Sequence, residues 1–174
     1  MNKPRVYLAG KIAKNCWRHT LVPRLRGALT YGYMVPQPID CETFIYTGPF
    51  FASCDHGCTH GEATHGTGRG GCVNAEAPTR EEVFRRNNLA IASADIVIAY
   101  ISAYDCIGTV WEIAFAQHRK IPVYMIFHPD IDRPEFWVPA MLAEPPVAHL
   151  SRTVTKDHLP SVVKRVIETW RPRN

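Results

Sequence analysis

Apolar positions along the chain fall into two patterns. Residues 5–9, 95–101 and 121–127 are near-continuous apolar runs of strand length, as strands buried on both faces of a parallel sheet require. Between them the spacing changes to that of helices. Residues 21–29 carry apolar side chains at helical intervals, with Pro23 admissible only in a first turn. Thr79-Arg80-Glu81-Glu82 has the form of a capping box, and Val83, Asn87, Ala90, Ile91 and Ala94 then share one stripe. Asn87 is therefore a polar residue on an inward face. A further helix is predicted over 109–119, a short strand over 147–150, and an amphipathic closing helix over 156–170. This alternation predicts an α/β fold: a doubly wound, flavodoxin-like or Rossmann-like sheet of about five parallel strands with flanking helices. Residues 31–78 show no clear period, and 36–78 read as a long Cys/His-rich loop insertion.

Length and composition narrow the class. The 174 residues suit one domain, 1–174, with its own core. A net charge of +4, from scattered rather than clustered Lys and Arg, leaves no electrostatic footprint for nucleic acid. No apolar run is long enough for a membrane span, and residues 1–5 lead into a strand without a signal peptide's apolar region. A cytoplasmic protein is expected, so the six cysteines are expected to be free thiols or metal ligands rather than disulfides.

The chemistry concentrates after the strand at 95–101. Asp105, Gly108 and Glu112 follow it across a short loop into the next helix, where open α/β sheets hold their ligands. Two readings of Glu112 stand open. Thr109-Val110-Trp111-Glu112 fits a capping box, in which the glutamate only ties down a helix terminus. Alternatively Glu112, on the face of Ala116, points inward as an ionised, partly buried carboxylate able to attack an electrophilic carbon.

Val6-Tyr7-Leu8-Ala9-Gly10-Lys11-Ile12, the Arg-Asn helix leading into Ala94-Asp95-Ile96-Val97, and Asp105…Gly108-Thr109…Glu112-Ile113…Ala116 together resemble the nucleoside 2-deoxyribosyltransferase family. The resemblance covers residues 5–12 and 80–127. It implies that Glu112 attacks the anomeric carbon of a 2′-deoxynucleoside, that Tyr7 positions this nucleophile, and that Asp105 lies near the sugar. It also implies small-molecule nucleosides and nucleobases as partners, no cofactor, and a homo-oligomer whose neighbouring subunit completes the site, with Pro134-Glu135-Phe136-Trp137 in the corresponding region. Gly10, Gly108, Thr109 and Asn87 count among the substrate contacts. Two departures accompany it: the loop from Asp105 to Glu112 is one residue longer, and Asn87 stands where the family often has an aspartate. An amide can hydrogen-bond a sugar or base but does not transfer a proton in ordinary catalysis.

Cys54, His56, Cys58, His60 and His65 fall within twelve residues, with Cys72 following. Cys and His are zinc's preferred ligands, although no C-x₂-C pair is present. The other reading makes this segment, with Tyr46-Thr47-Gly48-Pro49-Phe50-Phe51, the loop after the second strand that closes over a nucleobase. Phe50 and Phe51 would stack on the base and His56 or His60 would bond its edge. A solvated glycine-rich loop is the third.

Overall fold

The computed structural model describes residues 3–12, 17–25, 37–50, 80–131, 147–149 and 154–171. In chain order the elements are β1 (Arg5–Gly10), α1 (Arg18–Leu21), β2 (Ile39–Asp40), β3 (Ile45–Gly48), α2 (Arg80–Ala92), β4 (Ile96–Ile101), α3 (Ile107–His118), β5 (Val123–Phe127), β6 (Val147–His149) and α4 (Leu159–Thr169). They form a six-stranded sheet in the order β2-β3-β1-β4-β5-β6. Every neighbouring pair is parallel except β2 with β3.

Strand alternation sorts the central strands onto two cores. Val6 and Leu8 of β1, Ile96, Ile98 and Tyr100 of β4, and Ile126 of β5 pack with Val163, Val166 and Ile167 of α4. Tyr7 and Ala9, Val97, Ala99 and Ile101, and Val123, Met125 and Phe127 face the opposite way, onto Ile91 of α2 and Ile113 and Ala116 of α3. Both faces are apolar because both are covered by helices, which is why these strands read as unbroken apolar runs. On the α2/α3 face the small Ala9 and Ala99 flank Tyr7, the one residue of β1 there with a polar tip.

Four expectations need correction. First, the helix expected over 21–29 does not run on from Leu21, where α1 ends; 26–29 lie outside the described residues. Pro23–Leu25 make a 3₁₀ turn in which the Leu25 N–H bonds the Val22 carbonyl at 3.0 Å. Proline's missing donor and its ring prevent an α-helix from running through this point. Second, part of the supposed loop insertion is strand. Ile45–Gly48 is β3 itself, and its register with β1 shifts between Val6 and Tyr7, so that Tyr7 pairs with Gly48. Third, the antiparallel edge strand β2 was unexpected; two residues are too few for a period. Fourth, α3 begins at Ile107, two residues before the expected start. Among the described residues no helix is long and apolar enough to cross a membrane.

Candidate active site

Glu112 lies in the second turn of α3, on the inward stripe with Thr109, Ile113 and Ala116. The N-cap position belongs to Cys106, without a side-chain cap, and the first turn holds no acidic residue. The capping-box reading of Thr109 and Glu112 therefore fails: the helix starts too early for Glu112 to reach its terminus. The carboxyl turns instead to the sheet, where Tyr7 Oη donates to Glu112 Oε1 at 2.5 Å.

The electrostatics of this pair follow from its burial. Removal from water pushes the Glu112 carboxyl up to about 7, opposed by the Tyr7 hydrogen bond, the Arg18 charge and the Gly10 amide, all of which favour the ionised form. Near neutral pH such a group exists in both protonation states. Tyr7, fully buried, is held well above the usual phenol range, first by burial and then by the adjacent Glu112 charge. The phenol therefore remains the donor and the carboxylate the acceptor.

Backbone geometry makes room for the pair. A Cβ on Gly48 would lie 2.5 Å from Tyr7 Cε2 and 2.8 Å from Cδ2, so the ring occupies the space that any other residue would fill. The register shift in β3 brings Gly48, rather than Thr47, opposite Tyr7. At the end of β1, Gly10 adopts φ +145°, where a Cβ would meet the Tyr100 carbonyl at 2.9 Å. This conformation favours glycine.

The loops leaving β1 and β4 are joined by an ion pair. Lys11 Nζ donates to both oxygens of Asp105, at 3.0 and 2.9 Å. Both side chains are largely exposed, and Lys11 holds the Asp105 carboxyl below its ordinary range. Asp105 is thus half of an ion pair, with a partner that the sequence reading did not supply.

Other expected residues are distributed differently. Asn87 Oδ1 accepts the Phe50 N–H at 2.7 Å, so its amide oxygen already serves the backbone after β3. Phe50 is buried, with the Arg86 guanidinium 4.7 Å from its ring centroid, so one ring face is occupied. Thr109 is buried inside α3. Gly108 is helical, and a Cβ there would meet nothing within 4 Å, so no close approach requires glycine. Gly108→Ala is expected to raise stability by roughly 0.5–1 kcal/mol, as glycine-to-alanine changes do at unhindered helical positions. Chemical denaturation would measure it; a loss of stability would mean that an unseen contact needs the glycine. Phe51, His56, His60, the Cys54/Cys58/His65 cluster with Cys72, and residues 134–137 lie outside the described residues. Of the cysteines described, Cys41 and Cys106 are free thiols.

Sequence reasoning missed two positions. One is Gly48, whose requirement comes from a ring forty-one residues earlier in the chain. The other is Arg18, fully buried beside β1. Its one available signal was the Trp17-Arg18 pair, a large aromatic next to a cation in a short helix, which looks ordinary in sequence. Compared with models of protein families, with curated proteins and with solved structures, the chain gives no match.

Proposed function

We propose that the protein cleaves and re-forms the N-glycosidic bond of 2′-deoxynucleosides through a covalent deoxyribosyl–Glu112 intermediate. The observation that carries this reading is the 2.5 Å hydrogen bond from Tyr7 to Glu112, which aims a desolvated carboxylate without neutralising it. Desolvation strengthens a carboxylate as a nucleophile, and a single oriented donor leaves the second oxygen available for attack. In the first step Glu112 bonds to C1′ as the bond to the departing base breaks, the base retaining the electron pair. In the second, a ring nitrogen of an acceptor base attacks C1′ and releases the carboxylate. Two inversions give net retention.

Placement agrees with this reading. We infer a doubly wound, flavodoxin-like sheet: the chain passes from β1 to β3 on one side and returns to β4 on the other. Loops leaving β1 and β4 then diverge, and ligands of such sheets sit in that crevice. Lys11 and Asp105 stand on these two loops, and the resemblance to the deoxyribosyltransferases implies that Asp105 lies near the sugar.

The direct test incubates 2′-deoxyinosine or thymidine with adenine or cytosine and separates the products. A new deoxynucleoside is expected. Free base alone would reassign the protein as a hydrolase of the same bond, and no reaction would favour a nucleotide-binding module. Tyr7→Phe is expected to lower kcat by about 10- to 100-fold, the worth of one hydrogen bond to a charged group. It should also move the acid limb of the pH profile upward, because the donor that favours ionised Glu112 is gone. A profile unmoved from wild type would show that Tyr7 does not set the carboxylate.

A further inference from the structure

α3 is apolar on two opposite faces. Thr109, Ile113 and Ala116 are buried on the inner one. About half a revolution away, at helical spacing, stand Ile107, Trp111 and Ala114, with Phe115 beside them. Between Ile107 and Gln117 the only ionisable side chain is Glu112, and it is bonded to Tyr7. The outer face therefore runs uncharged for about three turns. α4 shows the ordinary arrangement instead: Val163, Val166 and Ile167 are buried, and Lys164, Arg165 and Glu168 are exposed. A helix that is apolar all round is one that is covered all round.

Neighbouring rings widen the outer stripe. Phe84 of α2 lies against Trp111 with ring centroids 5.4 Å apart, and Trp111 stacks on Phe115 at 6.3 Å. The Trp111 indole N–H donates to Asn88 Oδ1 at 3.2 Å, so the polar edge of this ring is already served. What remains outward is hydrocarbon. Ile107 is 79% exposed, and Phe84 and Trp111 are each close to half exposed. These three side chains alone present roughly 300 Å² of apolar surface, on the scale at which a patch marks an interaction site.

The two ends of α3 identify the occupant. Asp105 precedes the helix, whereas the exposed His118, Arg119 and Lys120 close it. A second copy laid antiparallel about a two-fold axis brings each acidic end against the other copy's basic end. The Lys11 ion pair leaves most of the Asp105 side chain open to such a contact. Antiparallel pairing also sets the two helix dipoles head to tail. The uncharged centre meets only its own counterpart, so no charge is stripped of water.

We propose that the outer face of α3, with Phe84, is the interface through which two copies of this chain form an isologous dimer, the helices antiparallel and Trp111 near the axis. Two such stripes with their charged rims bury on the order of 1,000 Å² in total, the lower bound for a specific interface. The dissociation constant is therefore expected in the micromolar range. Dimerisation through this face is independent of the chemistry Glu112 performs.

The test is sedimentation velocity of the full chain from about 1 µM to about 1 mM, for wild type, Ile107→Lys and Ile107→Glu. Wild type should show a reversible monomer–dimer equilibrium. In the antiparallel pair Ile107 faces the basic end of the other copy, so Ile107→Lys should weaken association at least about 100-fold and Ile107→Glu much less. Both should fold as wild type does, because Ile107 is mostly exposed in one copy. Equal weakening by the two would overturn the antiparallel arrangement, and a dimer indifferent to both would place the interface elsewhere. A protein monomeric throughout would overturn the proposal outright. A Trp111 indole resonance shielded from a soluble paramagnetic probe in that monomer would show that another segment of this chain covers the face. Should Ile107→Lys fail to fold, wild type alone decides: the Trp111 indole must become accessible to the probe as dilution dissociates the dimer, and unchanged accessibility overturns the proposal.

Discussion

Replacing Glu112 with glutamine is expected to abolish turnover and, at neutral pH and above, to make the folded protein more stable. The two effects share one cause. In the proposed reaction the carboxylate itself forms the bond to C1′, and loss of such a group costs at least about 10³-fold in kcat. Glutamine can still accept the Tyr7 hydrogen bond through its amide oxygen, so the local packing survives. Stability moves the other way because Glu112 is raised in the folded state from the ordinary 4.5 to about 7. Between those values the folded protein keeps a proton that the unfolded chain has lost. Stability due to this group is therefore complete below pH 4.5, falls as pH rises through the window, and reaches its full deficit above pH 7. Removing the charge removes the deficit, which is on the order of 3 kcal/mol. For a chain of 174 residues that corresponds to a Tm higher by roughly 5–10 °C.

Thermal unfolding of wild type and Glu112→Gln across pH 4 to 8 would measure this directly. The two curves should meet near pH 4.5 and separate progressively toward pH 7. Parallel curves would show that Glu112 is not perturbed on folding, and the case for a desolvated nucleophile would go with it. The same logic predicts an acid limb in kcat/KM: activity rises with pH through about 7 as the nucleophilic form is populated. A site that is unfavourable for the folded state and needed for turnover is the pattern expected of functional carboxylates.

Much of this arrangement was legible in the chain, for identifiable reasons. β1, β4 and β5 are continuous apolar runs because helices cover both faces of the sheet, and that burial is written in composition. Tyr7 and Glu112 could be paired only through the family resemblance, since nothing local links residues 105 positions apart. The failures have equally local causes. Thr109 imitates an N-cap, but α3 starts at Ile107, whose sequence Ile107-Gly108 gives no start signal. β3 was absorbed into a loop because its four residues include a threonine and a glycine and are followed by proline. Arg18 was passed over because nothing in sequence distinguishes an arginine that bonds three carbonyls from one in water.

Gly48 gives the last and sharpest test of how the fold builds the site. Gly48→Ala is expected to lower both stability and activity, because the new methyl would sit 2.5 Å from Tyr7 Cε2 with Ala90 Cβ 3.1 Å away on another side. A Tyr7 ring with no exposed surface has no free space into which to turn, so ring, strand or helix must shift. Overpacking of this kind costs about 1–3 kcal/mol, or a Tm lower by roughly 3–10 °C in a chain of this size. Any displacement of the ring also moves Tyr7 Oη from Glu112, so kcat should fall at least as far as in Tyr7→Phe. A double-mutant cycle isolates the cause. In a Tyr7→Ala background the clash disappears, and adding Gly48→Ala should then cost little, giving a coupling energy of about 1–2 kcal/mol. Additive losses would mean that Gly48 is needed for its backbone conformation in β3 rather than for the Tyr7 ring, and the proposed link between the irregular β1–β3 register and the orientation of the carboxylate would be lost.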